Sequence, residues 1–334
     1  MAHTAAAPEP DGPHRIVGFN ARALGSALRL QVRLPASSPD AAADAAADAA
    51  WGAVTAEFAA ADLALSRFRD DSELTALNRL AGSGRVTRVS WRLRQALAAI
   101  HRAGRITSGR FDASVFDVLE RIGEHGAAVT GPEPVAHAAA AHTRARLVTA
   151  PARPVDLGGI GKGLALRWAT SAAMLRLPDG AGLLLNAGGD LIAAGRGPNE
   201  GWMIGVDDPV AATPDTAPVA VLALDRGAVA TSSVGTRHWT GPDGQAVHHL
   251  VDPATREPAR TGLIAVTVVA PDPAWAEVWS KALFLVGATR IGEEARARGL
   301  AAWWLDAGGR LSMTPAARLM SPWVAEERLG ELAS

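Results

Sequence analysis

The chain has 334 residues, 48% of them hydrophobic and 20% charged. That suits one large globular domain or two smaller ones sharing a core, and excludes a wholly disordered, collagen-like or disulfide-scaffolded chain. Lys+Arg 33 against Asp+Glu 34 leaves a formal net charge of -1, and there is no cysteine, so a global basic field for nucleic acid or anionic membrane, a thiol nucleophile and a zinc thiolate site are all excluded.

Residues 1–14 carry proline and acidic residues where a secretory signal needs a cationic start and an apolar run, and read as a disordered tail. The Ala-rich stretch 41–65 is broken by Asp44, Asp48, Glu57 and Asp62, too often for a membrane span, so a cytoplasmic protein is expected. Alternating apolar residues over 15–34 predict a strand pair or bent strand around Ala23–Ser26. Ser38-Pro39-Asp40 reads as a helix start, with a helix over about 40–64. Asp71 or Ser72 can cap a short helix over 73–79, and another helix is expected over 90–108. The Gly-, Pro- and Ala-rich segment 123–155, with a helical stretch near 133–142, reads as an excursion within the domain, followed by strands at 148–150 and 154–157.

A helix over 160–176, a strand over 182–187, a glycine turn at 188–189 and a strand over 190–194 come next. Short strands dominate from 202 onward, with turns at Pro242-Asp243-Gly244 and Pro253. Helices are expected again at 274–287 and 290–298, then a strand within 301–309. Helices and strands intermix without strict alternation, which predicts an α+β fold of mixed sheets with flanking helices.

Only two of the basic residues are lysines, Lys162 and Lys281, and asparagine occurs only at 20, 78, 186 and 199. In a chain this rich in arginine, a retained lysine points either to a site wanting a compact ammonium or to chance survival. Lys162 lies in Asp156-Leu157-Gly158-Gly159-Ile160-Gly161-Lys162-Gly163, before a helical pattern. Free amides at a helix start plus an ammonium suit an anion such as phosphate; a plain strand-to-helix turn is the alternative, and neither the Walker nor the Rossmann spacing is met.

Asn186-Ala187-Gly188-Gly189-Asp190 ends an apolar strand and reads on its own as a tight turn. Thr231, Ser232 and Ser233 place three hydroxyls suited to phosphate or ribose. Of nine histidines, the pair His248-His249 at a strand edge is the best general-base candidate, with an exposed strand histidine as the alternative. Zinc-hydrolase and serine-nucleophile motifs are absent.

Taken in order, nine segments over roughly 20–310 resemble the ApbE family, the FAD:protein FMN transferases or flavin transferases. They are LGS at 24–26, where the family usually has MGT, SRFRDDSELTALN at 66–78, SGRFDAS at 108–114, VDLGGIGKG at 155–163, LNAGGDL at 185–191, WMIGVDDP at 202–209, AVATSS at 228–233, HLVDPATREP at 249–258 and AEVWSKALF at 276–284. The resemblance implies one ApbE-like domain over 15–322, followed by a C-terminal tail at 323–334. It also implies FAD, with its pyrophosphate near the glycine-rich turn, a magnesium ion, and a partner protein whose Thr or Ser hydroxyl receives FMN as AMP leaves. By the same resemblance, Leu24, Gly25, Ser26, Arg110, Phe111, Asp112, Gly159, Ile160, Lys162, Asn186, Asp190, Thr231, Ser232 and Lys281 would line the FAD site. His249 would activate the hydroxyl, and Gly161 and Glu277 would serve the metal.

This sequence departs from the family at the metal. The family usually has Asp and, four residues later, Thr, where this chain has Glu277 and Lys281. An ammonium there would repel magnesium and pairs naturally with Glu277 at i,i+4, so Lys281 is expected to replace the metal in part as counter-charge to the pyrophosphate, with a helix-surface salt bridge and the metal displaced elsewhere as the alternative. Three activities stay open at this point: FMN transfer, FAD hydrolysis to FMN and AMP, and FAD binding without turnover.

Overall fold

The computed structural model describes residues 14–36, 40–126, 146–198, 201–209 and 217–330. The expected tail at 1–14, except His14, the Ser38-Pro39 helix start and the helical stretch near 133–142 lie outside the described residues; His14 itself opens the first strand and pairs with Pro35, which corrects the end of that tail.

The first hairpin joins β1 (His14–Ala23) to β2 (Ser26–Pro35) through Leu24 at φ 48° and Gly25 at φ 73°. Positive φ at both connecting positions is the geometry of a type I′ turn, which glycine adopts freely and which costs a leucine roughly 1–2 kcal/mol. Then come α1 (Asp40–Leu65), α2 (Glu73–Arg79), β3 (Val86–Val89), α3 (Trp91–Ile106), α4 (Phe116–Arg121) and β4 (Arg146–Thr149). Between the two predicted caps, Ser72 takes the position: its hydroxyl accepts the Thr75 N–H, and Ser90 does the same for Leu93 ahead of α3.

The middle of the chain forms α5 (Gly161–Met174), β5 (Gly182–Ala187), β6 (Asp190–Gly195), β7 (Trp202–Val206), β8 (Ala220–Leu224) and β9 (Gly227–Ser233). Short strands follow at β10 (His238–Thr240), β11 (Ala246–His248), β12 (Val251–Asp252) and β13 (Glu257–Pro258). The chain closes with β14 (Leu263–Ala270), α6 (Pro273–Val286), α7 (Ile291–Ala297), β15 (Ala301–Asp306), β16 (Leu311–Met313), α8 (Pro315–Leu319) and β17 (Trp323–Val324).

Eight strands form the main sheet in the order β1-β2-β5-β6-β9-β14-β15-β16, each pair antiparallel. Strand alternation assigns its two faces. Ile192, Ala228 and Ala230 join the core built with α1, α5 and α6, whereas Leu191, Ala193 and Val229 join Trp202, Ile204, Leu222 and Leu224 of the small sheet β17-β8-β7. The mixed architecture predicted from the sequence is therefore present as one sheet with helices on one face and a smaller sheet on the other.

Two local expectations are corrected. Residues 154–157 form no strand, although Val155 is buried and its backbone is held by both ends of the Asn78 amide at 2.8 and 2.9 Å. Trp323 and Val324, expected in a tail, pair with Val221 and Ala220. Val324 is buried in the small-sheet core, which ties down this end of the chain.

Candidate active site

The site is assembled where α5 meets α6. A Cβ on Gly163 would lie 2.5 Å from Ala274 Cα and 2.6 Å from Pro273 O, so only glycine permits this approach. The contact brings Glu277, one turn into α6, to the start of α5. There its Oε2 accepts the Gly163 N–H at 2.8 Å, and its Oε1 accepts from Lys281 Nζ at 3.3 Å. Glu277 is only 1% exposed, and such a buried carboxylate is tolerable because it is paired, hydrogen-bonded and set at the positive end of a helix.

This corrects the simple picture of an open amide cradle at the glycine-rich turn. The Gly161 N–H donates to the Leu157 carbonyl at 2.7 Å and that of Gly163 to Glu277, so the chain's own groups take both. Lys162 reaches the other way and pairs with Asp190, whose second oxygen accepts the Thr231 N–H at 3.2 Å. Burial opposes the charge on Lys162, but the Asp190 and Glu277 carboxylates outweigh it and raise its pKa above the usual lysine value.

At the β5–β6 turn, Asn186 Oδ1 accepts the Gly189 N–H at 3.1 Å. Gly188, at φ 64°, lies against Ser26, since a Cβ there would meet Ser26 Cβ at 2.7 Å. On β9, Thr231 and Ser233 face a cleft, but Ser232 points to the opposite side and hydrogen-bonds Ser280 Oγ at 2.7 Å. The expectation that Ser232 lines the site is corrected by strand alternation.

The structure separates the two adjacent histidines. His248 Nε2 donates to the Ala259 carbonyl at 3.1 Å and its Nδ1 accepts the Leu250 N–H at 3.2 Å, so both nitrogens are occupied. His249 Nδ1 faces the Arg237 carbonyl at 3.3 Å. A carbonyl can only accept, so the proton sits on Nδ1 and the lone pair on Nε2. Burial first, then the Arg237 and Lys281 cations, hold the His249 pKa well below the usual imidazole value, so the ring is neutral near pH 7.

His249 stands in a wall shared by two clefts, together with Gly158, Arg237 and Lys281. The first cleft, about 70 Å³, has an apolar lining that includes Phe111, Val115 and Leu250 and is edged by Arg110, Asp112 and Gly159. The second, about 550 Å³, is lined by Lys162, Asn186, Met203, Thr231 and Glu277 among others. Within the first, Arg110 pairs with Glu294 at 3.2 Å, and Asp112 accepts the Ser114 N–H at 2.8 Å. Ile160 and Gly161 are buried and line neither cleft, nor do Leu24, Gly25 and Asp190; Ser26 reaches the second cleft only through its contact with Gly188.

Arg237, which lines both clefts, was missed by sequence reasoning, as one arginine in a chain full of them. It is held by Glu124, which also pairs at 2.9 Å with Arg67. Arg67 is 3% exposed and further binds Glu120 at 3.0 Å and Asp156 at 3.3 Å. A buried guanidinium with three carboxylates thus braces the wall that carries His249.

The residues do not fit the expected magnesium site. One carboxylate plus substrate phosphates can hold magnesium, but here one Glu277 oxygen is bonded to Gly163 and the other to an ammonium at 3.3 Å. Among the described residues, no three His, Asp or Glu side chains converge to hold an ion.

A family model described as the ApbE family matches residues 24–304. The chain is 28% identical over 276 residues to an FAD:protein FMN transferase of Klebsiella pneumoniae, covering 75% of each. It is 29% identical over 253 residues to an FAD:protein FMN transferase of Treponema pallidum, covering 68% of each. In fold it is similar to the ApbE protein of Thermotoga maritima, with TM-score 0.74, 24% identity and coverage of 92% of this chain and 100% of that one. The apo flavinyl transferase ApbE of Pseudomonas stutzeri gives TM-score 0.72 at 23% identity, covering 92% and 97%. Among the described residues, no helix is long and apolar enough to cross a membrane.

Proposed function

The chain belongs to the ApbE family, and on that premise we propose that it moves FMN from FAD onto a Thr or Ser hydroxyl of a target protein and releases AMP. The observation that carries this reading is the meeting of two clefts at one wall bearing Arg237, Lys281 and a neutral His249. FAD has the matching form, with two ring systems joined by a pyrophosphate. Seated across the wall, its rings enter the clefts and its pyrophosphate faces the two cations.

The reaction then needs in-line approach of a hydroxyl and a base for its proton. His249 supplies the base: Nδ1 is fixed by the Arg237 carbonyl, and Nε2 takes the proton as the hydroxyl oxygen bonds to the FMN phosphorus. The P–O bond to the bridging oxygen breaks, and AMP departs with that oxygen and its electron pair. Arg237 and Lys281 stabilise the charge gathering on the phosphate oxygens. Asn186, Thr231 and Lys162 line the second cleft, and Arg110, Phe111, Asp112 and Gly159 the first; all serve FAD binding. No step is assigned to magnesium, since Glu277 is already committed to Gly163 and Lys281.

The test is intact-mass analysis of an acceptor protein bearing an exposed threonine after incubation with this chain and FAD. A gain equal to FMN, abolished by replacing the threonine with alanine, is expected. AMP release with an unmodified acceptor and no dependence on it would make the chain an FAD hydrolase instead.

A further inference from the structure

We propose that Lys281 is a built-in replacement for a divalent cation, so that this chain binds the FAD pyrophosphate without a metal ion. The inference rests on the reading that the shared wall receives FAD. Among the described residues, Lys281 is one of four common to both clefts, and so stands where a ligand spanning them must pass. Its stem is accommodated by the glycine-rich turn: a Cβ on Gly159 would lie 3.3 Å from Lys281 Cδ and 3.0 Å from Phe111 Cε2. Among the described residues, its one hydrogen-bond partner is Glu277 Oε1, at 3.3 Å. An ammonium has three donors, so two remain to meet phosphate oxygens.

Glu277 is arranged to serve the lysine. Its second oxygen is fixed by the Gly163 N–H at 2.8 Å, and the carboxylate is 1% exposed, so it cannot swing out to a metal without abandoning a buried amide. A dication beside Glu277 would also sit against the ammonium and meet repulsion well above thermal energy. The lysine instead brings an ammonium tethered to the chain, which needs no loading and is oriented before substrate arrives.

The experiment titrates Mn²⁺, followed by electron paramagnetic resonance, into FAD-free wild type, Lys281→Thr and Lys281→Arg. FAD affinity is measured in parallel by flavin fluorescence, in EDTA and in magnesium chloride. The wild type is expected to leave Mn²⁺ free and to bind FAD with affinities agreeing within about twofold in the two buffers. Lys281→Thr is expected to bind Mn²⁺ at least about tenfold more tightly and to need magnesium for FAD. Lys281→Arg, which keeps the charge, should remain independent of metal.

Stoichiometric Mn²⁺ binding by the wild type as tight as that of Lys281→Thr, or loss of wild-type FAD affinity in EDTA, would overturn the proposal, and the second of these arms depends on no variant folding. If the wild type excludes Mn²⁺ and holds FAD equally in both buffers yet flavinylates nothing, the transferase reading fails and the counter-charge stands. If flavinylation proceeds but collapses with FAD affinity in EDTA, the counter-charge fails and the transferase stands.

Discussion

Gly163→Ala should destabilise the protein, although alanine is the better helix former. In a helix, replacing glycine by alanine is favourable by roughly 0.8–1.0 kcal/mol. Here the new methyl would lie 2.5, 2.6 and 2.7 Å from Ala274 Cα, Pro273 O and Ala274 N, all backbone atoms of α6 with no side chain to swing aside. Overpacking of this kind costs about 1–3 kcal/mol, and the helices must part to relieve it. Parting them also lengthens the Gly163 hydrogen bond to the buried Glu277 carboxylate, a bond to a charged group worth about 1.5–3 kcal/mol. The net expectation is a loss of about 1–3 kcal/mol.

Gly52 offers the matched control. It is exposed within α1, and a Cβ there meets nothing within 4 Å, so Gly52→Ala should stabilise by up to about 1 kcal/mol. Urea unfolding of the two variants, compared at equal m-value, should shift the midpoint in opposite directions. A Gly163→Ala protein as stable as the wild type would refute the close-approach argument.

Three further outcomes follow from the wall around His249. His249→Ala should lower flavinylation by about 10²–10⁴-fold while leaving FAD affinity nearly unchanged; equal rates would remove it as the base. Because the folded His249 pKa lies below the unfolded value of about 6.5, the unfolded chain binds the extra proton between those values. Its contribution to stability is therefore complete above about pH 6.5 and declines as pH falls toward the folded pKa; urea midpoints across that range should slope less in His249→Asn, whose amide can still donate to Arg237. Arg67→Ala leaves the carboxylates of Glu120, Glu124 and Asp156 short of their shared buried cation and should cost about 3–5 kcal/mol in the same assay, and a loss below 1 kcal/mol would show that the cluster braces little.

Features with a local cause were legible in the sequence. Ser72 announces its helix because a hydroxyl capping an amide three residues on is written in adjacent residues. The glycine turn at 188–189 and the strands on either side of it were readable for the same reason. What depends on distant packing was not. The amides at the start of α5 looked available for a ligand until Glu277, 114 positions away, took one of them. Arg237 carried no signal, since its place beside His249 comes from Glu124 and Arg67 and not from neighbours in sequence. Ser232 was misread because a run of hydroxyls in a strand necessarily divides between two faces. Trp323 and Val324 looked like a tail because their partners, Val221 and Ala220, lie a hundred residues back along the chain.

The central claim is that one FAD is split at this wall only as its FMN is handed to a hydroxyl. The most direct measurement is the molar ratio of AMP released to flavin covalently bound to an acceptor, by chromatography of the same reaction with and without acceptor. The account predicts a ratio of about one to one with acceptor and no AMP without it, as the transfer step requires. AMP formed in excess of bound flavin, or at the same rate when acceptor is omitted, would contradict it.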